Sequence, residues 1–139
     1  MTVRKVKAFL YGKQSYAIRG ACFDVWNEFG GAFKESVVER ALEKALVKRG
    51  LKVERQKRLA VFYEGERVGV YQPDFVIDDL ILVELKCKPS LVISDRRQFW
   101  QYLKGTPYRL GFLVHFGSER LQIVRTVYDR ARDHRQIQR

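Results

Sequence analysis

The stretch PDFVIDDLILVELK places two short apolar runs on either side of a pair of aspartates. Short apolar runs separated by a polar reversal are typical of buried strands that form a β-hairpin. Asp74 stands just before the first run, and Glu84 and Lys86 follow the second run. The segment therefore predicts two core strands that carry two carboxylates and an amine at the end opposite the turn.

Helical periodicity is found on both sides of this hairpin. Apolar residues recur at helical spacing over residues 18–29, with Ser15 as a candidate N-cap, and again over residues 33–46, before a stop at Gly50. A third helix is expected to start at a cap formed by Ser94 and Asp95 and to end near residue 104. These segments predict three helices.

The remaining periodic segments predict strands. LAVFY and VGVY flank EGER as a second hairpin, and YRLGFLVHF and LQIVRTVY follow the third helix as two more strands. The order helix, helix, three or four strands, helix, two strands predicts an α/β fold in which helices flank a mixed central sheet. We expect a single domain over residues 1–139, with a core over about 15–128 and a basic tail over 129–139.

Composition narrows the expected partners. The formal net charge is +11, from 27 Lys and Arg against 16 Asp and Glu, which favours polyanions and nucleic acid above all.

No apolar run approaches the roughly 20 residues of a membrane span, and no secretory signal is expected. The two cysteines, Cys22 and Cys87, form no CxxC or Cys/His cluster, so neither a zinc site nor a disulfide framework is expected. A cytoplasmic location fits this cysteine usage.

The chemistry of the charged residues depends on the register of the first hairpin. Alternate residues of a strand share a face, so Glu84 and Lys86 project together. Asp74 faces Glu84 only if the pairing is centred on Asp79. A plain two-residue turn would pair Asp74 with Val83 and place Glu84 on the other face. The functional interpretation is therefore a prediction about register.

Two carboxylates within about 4–6 Å of each other disfavour each other's ionisation, and a bound cation removes that cost. Oxygen ligands without Cys or His suit Mg²⁺ or Mn²⁺, and these ions suit a phosphodiester substrate. Lys86 can orient a water molecule or stabilise the transition state, and we favour this role over that of a general base. The alternative is that opposite charges on one face of an edge strand serve only solubility.

Two predicted helices add candidate residues. Glu35 lies three residues before Val38, on the apolar stripe of the second helix, where an inward carboxylate needs a partner. The alternative is that Glu35 faces solvent, because acidic residues are also favoured in the first turn of a helix by the helix dipole. On the third helix, amide, phenol and guanidinium groups can together hold a sugar–phosphate backbone. These groups belong to Gln98, Tyr102, Arg96 and Arg97. The alternative is that the tyrosine belongs to the core and that the arginines are solvated.

These residues, in this order, resemble the PD-(D/E)xK nuclease superfamily over about residues 17–125. The core pattern is carried by Pro73-Asp74 and by Glu84-Leu85-Lys86, and the third helix resembles a QxxxYL motif. Within the superfamily the chain resembles the small GxxExxY proteins, with Glu35 as the upstream carboxylate. Ala32 and Val38 replace the glycine and the tyrosine of the signature that names those proteins.

The resemblance implies a restriction-endonuclease-like fold and a metal bound by Asp74, Glu84 and the carbonyl of Leu85. It also implies that Lys86 completes the catalytic site and that Glu35 supports it. Nucleic-acid contacts are expected from six further residues: Gln98, Tyr102, Arg96, Arg97, Gln56 and Lys88.

We therefore expect a Mg²⁺- or Mn²⁺-dependent nuclease that hydrolyses DNA. One alternative is a catalytically inactive nucleic-acid-binding module on the same fold, and another is a subunit whose basic surface meets an acidic protein. The expected partner is nucleic acid, in the first place DNA, with a second copy of the chain in a homodimer as a further candidate and no membrane.

Overall fold

The computed structural model describes residues 10–128, so the predicted basic tail lies outside the described residues. The helices of this part of the chain are α1 (Gly12–Phe29), α2 (Glu35–Lys48) and α3 (Ile93–Lys104). The strands are β1 (Val53–Arg55), β2 (Leu59–Tyr63), β3 (Glu66–Tyr71), β4 (Phe75–Ile77), β5 (Ile81–Cys87), β6 (Leu110–Phe116) and β7 (Leu121–Val127).

Five strands form a mixed sheet in the order β1-β4-β5-β6-β7. β5 and β6 run parallel, and the other neighbouring strands of this sheet run antiparallel. β2 and β3 pair with each other in a separate two-stranded sheet. The predicted α/β fold, with helices flanking a mixed central sheet, is confirmed.

Two apolar clusters lie on opposite faces of the five-stranded sheet. Ile81, Val83 and Leu85 of β5 pack in the cluster that contains α1 and α2. Leu82 packs in the other cluster, with α3 and the β2–β3 hairpin. A strand buried on both faces reads as an unbroken apolar run, which explains LILV in the sequence. The alternation continues beyond this run and leaves Glu84 on the α3 face of the sheet.

Three local predictions need correction. Ser15 is not an N-cap, because α1 begins at Gly12 and the buried Ser15 N–H already donates to the Tyr11 carbonyl at 2.9 Å. The N-cap of α3 is Val92, and Asp95 acts from inside the helix, where its carboxylate accepts the Val92 N–H at 2.9 Å. Five strands rather than three or four precede α3 in the described chain. The additional strand is β1, which is only three residues long and was not predicted.

Helices that cross a membrane are long and predominantly apolar. Within residues 10–128, no helix combines the length and the apolar character needed to cross a bilayer.

Candidate active site

The hairpin of β4 and β5 has the register on which the functional interpretation depends. Phe75 pairs with Val83 and Ile77 pairs with Ile81, so the pairing is centred on Asp79. The connection is a three-residue turn, residues 78–80, rather than a two-residue turn. Continued by one residue, this register places Asp74 opposite Glu84, on the face that also carries Lys86.

Side chains hold the turn in this form. Asp78 and Asp79 both have φ 53°, in the left-handed region that aspartate tolerates better than most residues. The Asp78 carboxylate accepts the Lys52 N–H at 2.8 Å. The Asp79 carboxylate accepts the Tyr108 hydroxyl at 2.8 Å and the Lys57 ammonium at 3.2 Å. Contacts from other elements therefore fix a turn that its own sequence specifies weakly.

Carboxylates gather along the edge of β5 that faces β4. Because β4 begins at Phe75, no residue of β4 pairs with β5 beyond Val83. The Leu85 N–H on this edge donates instead to Asp74 Oδ2 at 2.7 Å, and the Asp74 N–H lies 3.4 Å from Glu84 Oε1. Further along, the Cys87 N–H donates to Glu35 Oε1 at 3.2 Å. Side chains thus replace a neighbouring strand as acceptors for β5.

The electrostatics of this edge disfavour ionised carboxylates in the absence of a cation. Burial, followed by the neighbouring Glu84 charge, raises the pKa of Asp74 to about 7. Burial also raises the pKa of Glu84, although the Tyr71 hydroxyl and the Lys86 charge partly oppose this rise. A positive ion between the two carboxylates would offset both effects.

Tyr71, at the end of β3, belongs to this site although the sequence interpretation did not include it. Its hydroxyl donates to Glu84 Oε1 at 3.1 Å, and its ring stacks on that of Tyr102, with the centroids 4.0 Å apart and the planes at 5°. This contact fixes the Glu84 carboxylate from the separate β2–β3 sheet. The packing of that hairpin against the main sheet could not be read from sequence spacing, so no local signal marked Tyr71.

Glu39 is a second residue that the sequence interpretation missed. It lies one turn after Glu35, is buried, and has its carboxylate Oε2 3.3 Å from Arg55 Nη2. Its charge contributes to the raised pKa of Asp74. The i, i+4 spacing from Glu35 was an available signal, because it places both side chains on one face of α2. Glu35 itself is exposed, yet its carboxylate accepts the Cys87 N–H of β5.

The residues predicted to contact nucleic acid differ in how directly they reach the carboxylates. The Gln56 N–H donates to the Asp74 carbonyl at 3.1 Å, and Tyr102 reaches the site through its stack on Tyr71. Gln98 lies one turn before Tyr102 on α3 and is exposed. Lys88 forms an ion pair with Asp95.

Two of the predicted contacts lie apart from the carboxylates. Arg96 and Arg97 line a cavity of about 280 Å³ beside Trp100 and Thr126, next to β7. The structure therefore brings Asp74, Glu84 and Gln56 together directly, and it does not bring these two arginines to the same point.

Comparison with known proteins identifies the family. A family profile described as the PD-(D/E)XK nuclease superfamily matches residues 12–127. The chain belongs to this superfamily. No curated protein matches the chain significantly. The crystal structure of SSO0001 is similar at a TM-score of 0.47 and 18% sequence identity, over 88% of this chain and 68% of that chain.

Membership of the PD-(D/E)XK nuclease superfamily implies nuclease chemistry on nucleic acid, typically with divalent metal ions. Among residues 10–128, no group of three or more His, Cys, Asp and Glu side chains could hold a metal ion by itself. The donors at hand are the Asp74 and Glu84 carboxylates and the Leu85 carbonyl, which shares an edge of β5 with the Leu85 N–H. All are hard oxygen donors, and this set fits Mg²⁺ or Mn²⁺ better than zinc.

Proposed function

We propose that this PD-(D/E)XK protein is a Mg²⁺- or Mn²⁺-dependent nuclease that hydrolyses phosphodiester bonds of DNA. The observation that carries the proposal is the meeting of Asp74 and Glu84 at the free edge of β5. Burial penalises both charges, and a hard cation would offset that penalty. A basic chain with net charge +11 supports a polyanionic substrate.

In this proposal Asp74, Glu84 and the Leu85 carbonyl hold the metal ion. When bound, the ion lowers the pKa of a coordinated water molecule and neutralises charge on the phosphate group. Lys86 lies on the same face as Glu84, where its ammonium group orients the water molecule or donates to a phosphate oxygen. Glu35 supports the site through its hydrogen bond to the Cys87 N–H.

Nucleic-acid contacts are proposed around this centre. Gln56 contacts the Asp74 backbone, and Tyr102 stacks on Tyr71, one turn after Gln98 on α3. The side chains of Gln56, Gln98 and Tyr102 suit sugar and phosphate oxygens rather than base edges. Arg96, Arg97 and Lys88 add positive charge around α3. Such contacts position a strand without reading its sequence, so we expect little base specificity.

The decisive experiment is a panel of labelled DNA and RNA structures incubated with the wild type and with Asp74→Asn, Glu84→Gln and Lys86→Met. With Mg²⁺ or Mn²⁺ the wild type should cut DNA, EDTA should stop cutting, and each variant should lose at least about 100-fold in rate. Glu28→Gln, which removes an exposed carboxylate on α1, is the matched control and should cut normally. Equal cutting by the wild type and by the Asp74 and Glu84 variants would place the activity elsewhere.

A second candidate is a nucleic-acid-binding module without catalysis. It is favoured by Ala32 and Val38, which depart from the GxxExxY signature; Ala32 has φ 74°, a left-handed conformation that favours glycine. Membership of the GxxExxY group is itself a proposal. The binding module predicts salt-dependent binding of oligonucleotides and no cleavage with any divalent ion.

The partner and the location are also proposals. A homodimer and a cytoplasmic location remain predictions of the sequence. If a gel-shift titration finds little affinity for DNA or RNA at physiological salt, an acidic protein becomes the better candidate partner.

A further inference from the structure

The candidate site receives one side chain from outside the five-stranded sheet. Tyr71 is the last residue of β3, in the separate hairpin that β3 forms with β2. Its hydroxyl donates to Glu84 Oε1 at 3.1 Å. Tyr71 is not one of the proposed metal ligands, so any influence that it has on a bound ion must act through Glu84.

Packing on two sides fixes the position of the Tyr71 ring. The residue is buried and pairs with the buried Leu59 of β2. Its ring also stacks on that of Tyr102 on α3, with the centroids 4.0 Å apart and the planes at 5°. A ring held between two elements cannot readily carry its hydroxyl away from Glu84. The orientation of the Glu84 carboxylate is therefore set by a rigid donor.

Two donors approach Glu84 on the same carboxylate oxygen. Oε1 accepts the Tyr71 hydroxyl and lies 3.4 Å from the Asp74 N–H. An N–H donor in a good hydrogen bond lies within about 3.2 Å of its acceptor, so the hydroxyl makes the stronger of these two contacts. Neither contact uses Glu84 Oε2. Oε2 is therefore the oxygen that Glu84 can turn toward a cation.

Asp74 is arranged in the same way. Its Oδ2 accepts the Leu85 N–H at 2.7 Å, and this bond does not use Oδ1. Each carboxylate thus offers one oxygen to a cation, and the Leu85 carbonyl offers another. Single oxygens suit Mg²⁺, because this ion demands near-ideal octahedral geometry and keeps several water molecules. Ca²⁺ is larger and also accepts bidentate carboxylates and more ligands.

We propose that Tyr71 is a positioning residue that sets the ion selectivity of this site. By holding Glu84 Oε1, its hydroxyl opposes a rotation that would present both carboxylate oxygens to one ion, and this favours Mg²⁺ over Ca²⁺. The inference rests on the proposed function, because that function supplies the metal site. The alternative is that Tyr71 has a structural role only and simply satisfies a half-buried carboxylate.

The experiment measures ion binding to the full chain without nucleic acid. Bound Mn²⁺ is followed by EPR and is displaced with Mg²⁺ or, separately, with Ca²⁺. Tyr71→Phe keeps the stacked ring and removes only the hydroxyl, so the ratio of the Mg²⁺ to the Ca²⁺ dissociation constant should rise at least about fivefold. This ratio is informative because a change in the proton affinity of Glu84 shifts both dissociation constants in the same direction.

Two further variants test whether the effect belongs to this contact. Tyr63→Phe removes an exposed hydroxyl from the same hairpin and should leave the ratio unchanged. Tyr71→Phe combined with Glu84→Gln should show the same ratio as Glu84→Gln alone, because Tyr71 acts through Glu84.

The outcomes separate this inference from the proposed nuclease function. If Tyr71→Phe is less stable in urea but keeps the wild-type ratio, the contact is structural only and the inference is wrong, while cutting by the wild type would still support the nuclease. A wild type whose selectivity depends on Tyr71 but that cuts no nucleic acid with Mg²⁺ or Mn²⁺ would contradict the nuclease function and leave the inference standing. A wild type that binds no Mn²⁺ would overturn both.

Discussion

Single hydrogen bonds between residues distant in sequence hold the candidate site together. Tyr71 fixes Glu84, and Asp74 accepts the Leu85 N–H. Each of these contacts places a carboxylate where burial raises the free energy of its charged form. The arrangement therefore favours a bound cation at the expense of the stability of the metal-free protein.

Asp74 should make the stability of the metal-free protein depend on pH. Its pKa of about 7 in the fold exceeds its ordinary value of 3.8, so between these values the native state holds a proton that the unfolded state has released. The free energy of unfolding should therefore fall as pH rises from about 4 to about 7. Asp74→Asn removes this loss and should be the more stable protein at pH 8 in EDTA, by up to about 4 kcal/mol.

Urea unfolding across this pH range measures the effect. Addition of Mg²⁺ should stabilise the wild type and leave Asp74→Asn nearly unchanged. Glu28→Gln, an exposed carboxylate on α1, provides the control for a general charge effect. A wild type that gains stability relative to Asp74→Asn as pH rises would show that Asp74 is not held in a charge-disfavouring site.

Helices and strands were largely predictable from the sequence, because each depends on a local apolar period. The three helices follow runs of apolar residues at helical spacing, and β4 and β5 follow the runs around Asp78 and Asp79. The start of α1 was missed by one turn, because its first residues are held by packing of Leu10 and Tyr11 on the core. β1 was not separated from its surroundings, because three residues are too few to establish a period.

The site was predictable only in part. The facing of Asp74 and Glu84 could be stated in advance as a condition on register, since strand alternation is a local rule. Tyr71 and Glu39 were missed, because their roles come from the docking of a hairpin and a helix onto β5 rather than from spacing within one segment. Contacts between elements distant along the chain leave no such period in the sequence.

The junction between α2 and β1 gives a test of element packing. Arg55 on β1 forms an ion pair with Glu39, whose side chain is 10% exposed, while the Arg55 side chain is 39% exposed. Arg55→Met leaves a buried carboxylate without its partner, which should lower the free energy of unfolding. Because the Arg55 side chain is partly exposed to solvent, its ion pair with Glu39 is weakened. We therefore expect the free energy of unfolding to fall by about 1–2 kcal/mol rather than by the full cost of an isolated buried charge.

Urea denaturation at pH 7 measures this loss. The double variant Arg55→Met/Glu39→Gln should recover most of it, because it removes the stranded charge. Arg109→Met, which replaces an exposed arginine directly before β6, is a control for loss of positive charge. A double variant as unstable as Arg55→Met would show that packing of the guanidinium group, and not its charge, stabilises this junction.

For the molecule as a whole, we expect the excess of positive charge to dominate the binding of nucleic acid when no metal ion is present. The net charge of +11 favours phosphate contacts whose strength falls as salt rises. In EDTA, where no cleavage is expected, the dissociation constant for a DNA oligonucleotide should rise at least about tenfold between 50 and 200 mM NaCl. Arg96→Ala and Arg97→Ala should each reduce the salt dependence by about one phosphate contact if those arginines touch the backbone.

Fluorescence anisotropy of labelled single-stranded and double-stranded DNA provides this measurement. An affinity that is independent of salt would show that phosphate contacts do not dominate binding. Lys44→Ala, an exposed cation on α2, serves as a reference for the effect of one charge that has no assigned contact.

The turn over residues 78–80 has a consequence for anyone who would redesign this chain. Asn-Gly at 78–79 is the pair that short-range hairpin preferences would choose, and it favours a two-residue reversal that pairs Ile77 with Leu80. That tighter reversal would turn Glu84 and Lys86 to the other face of the sheet, into the apolar cluster beneath α1 and α2. The sequence would still contain every residue of the PD-(D/E)XK motif. A poorly optimised turn, held by Lys52 and Tyr108, therefore keeps Glu84 and Lys86 on the α3 face of the sheet.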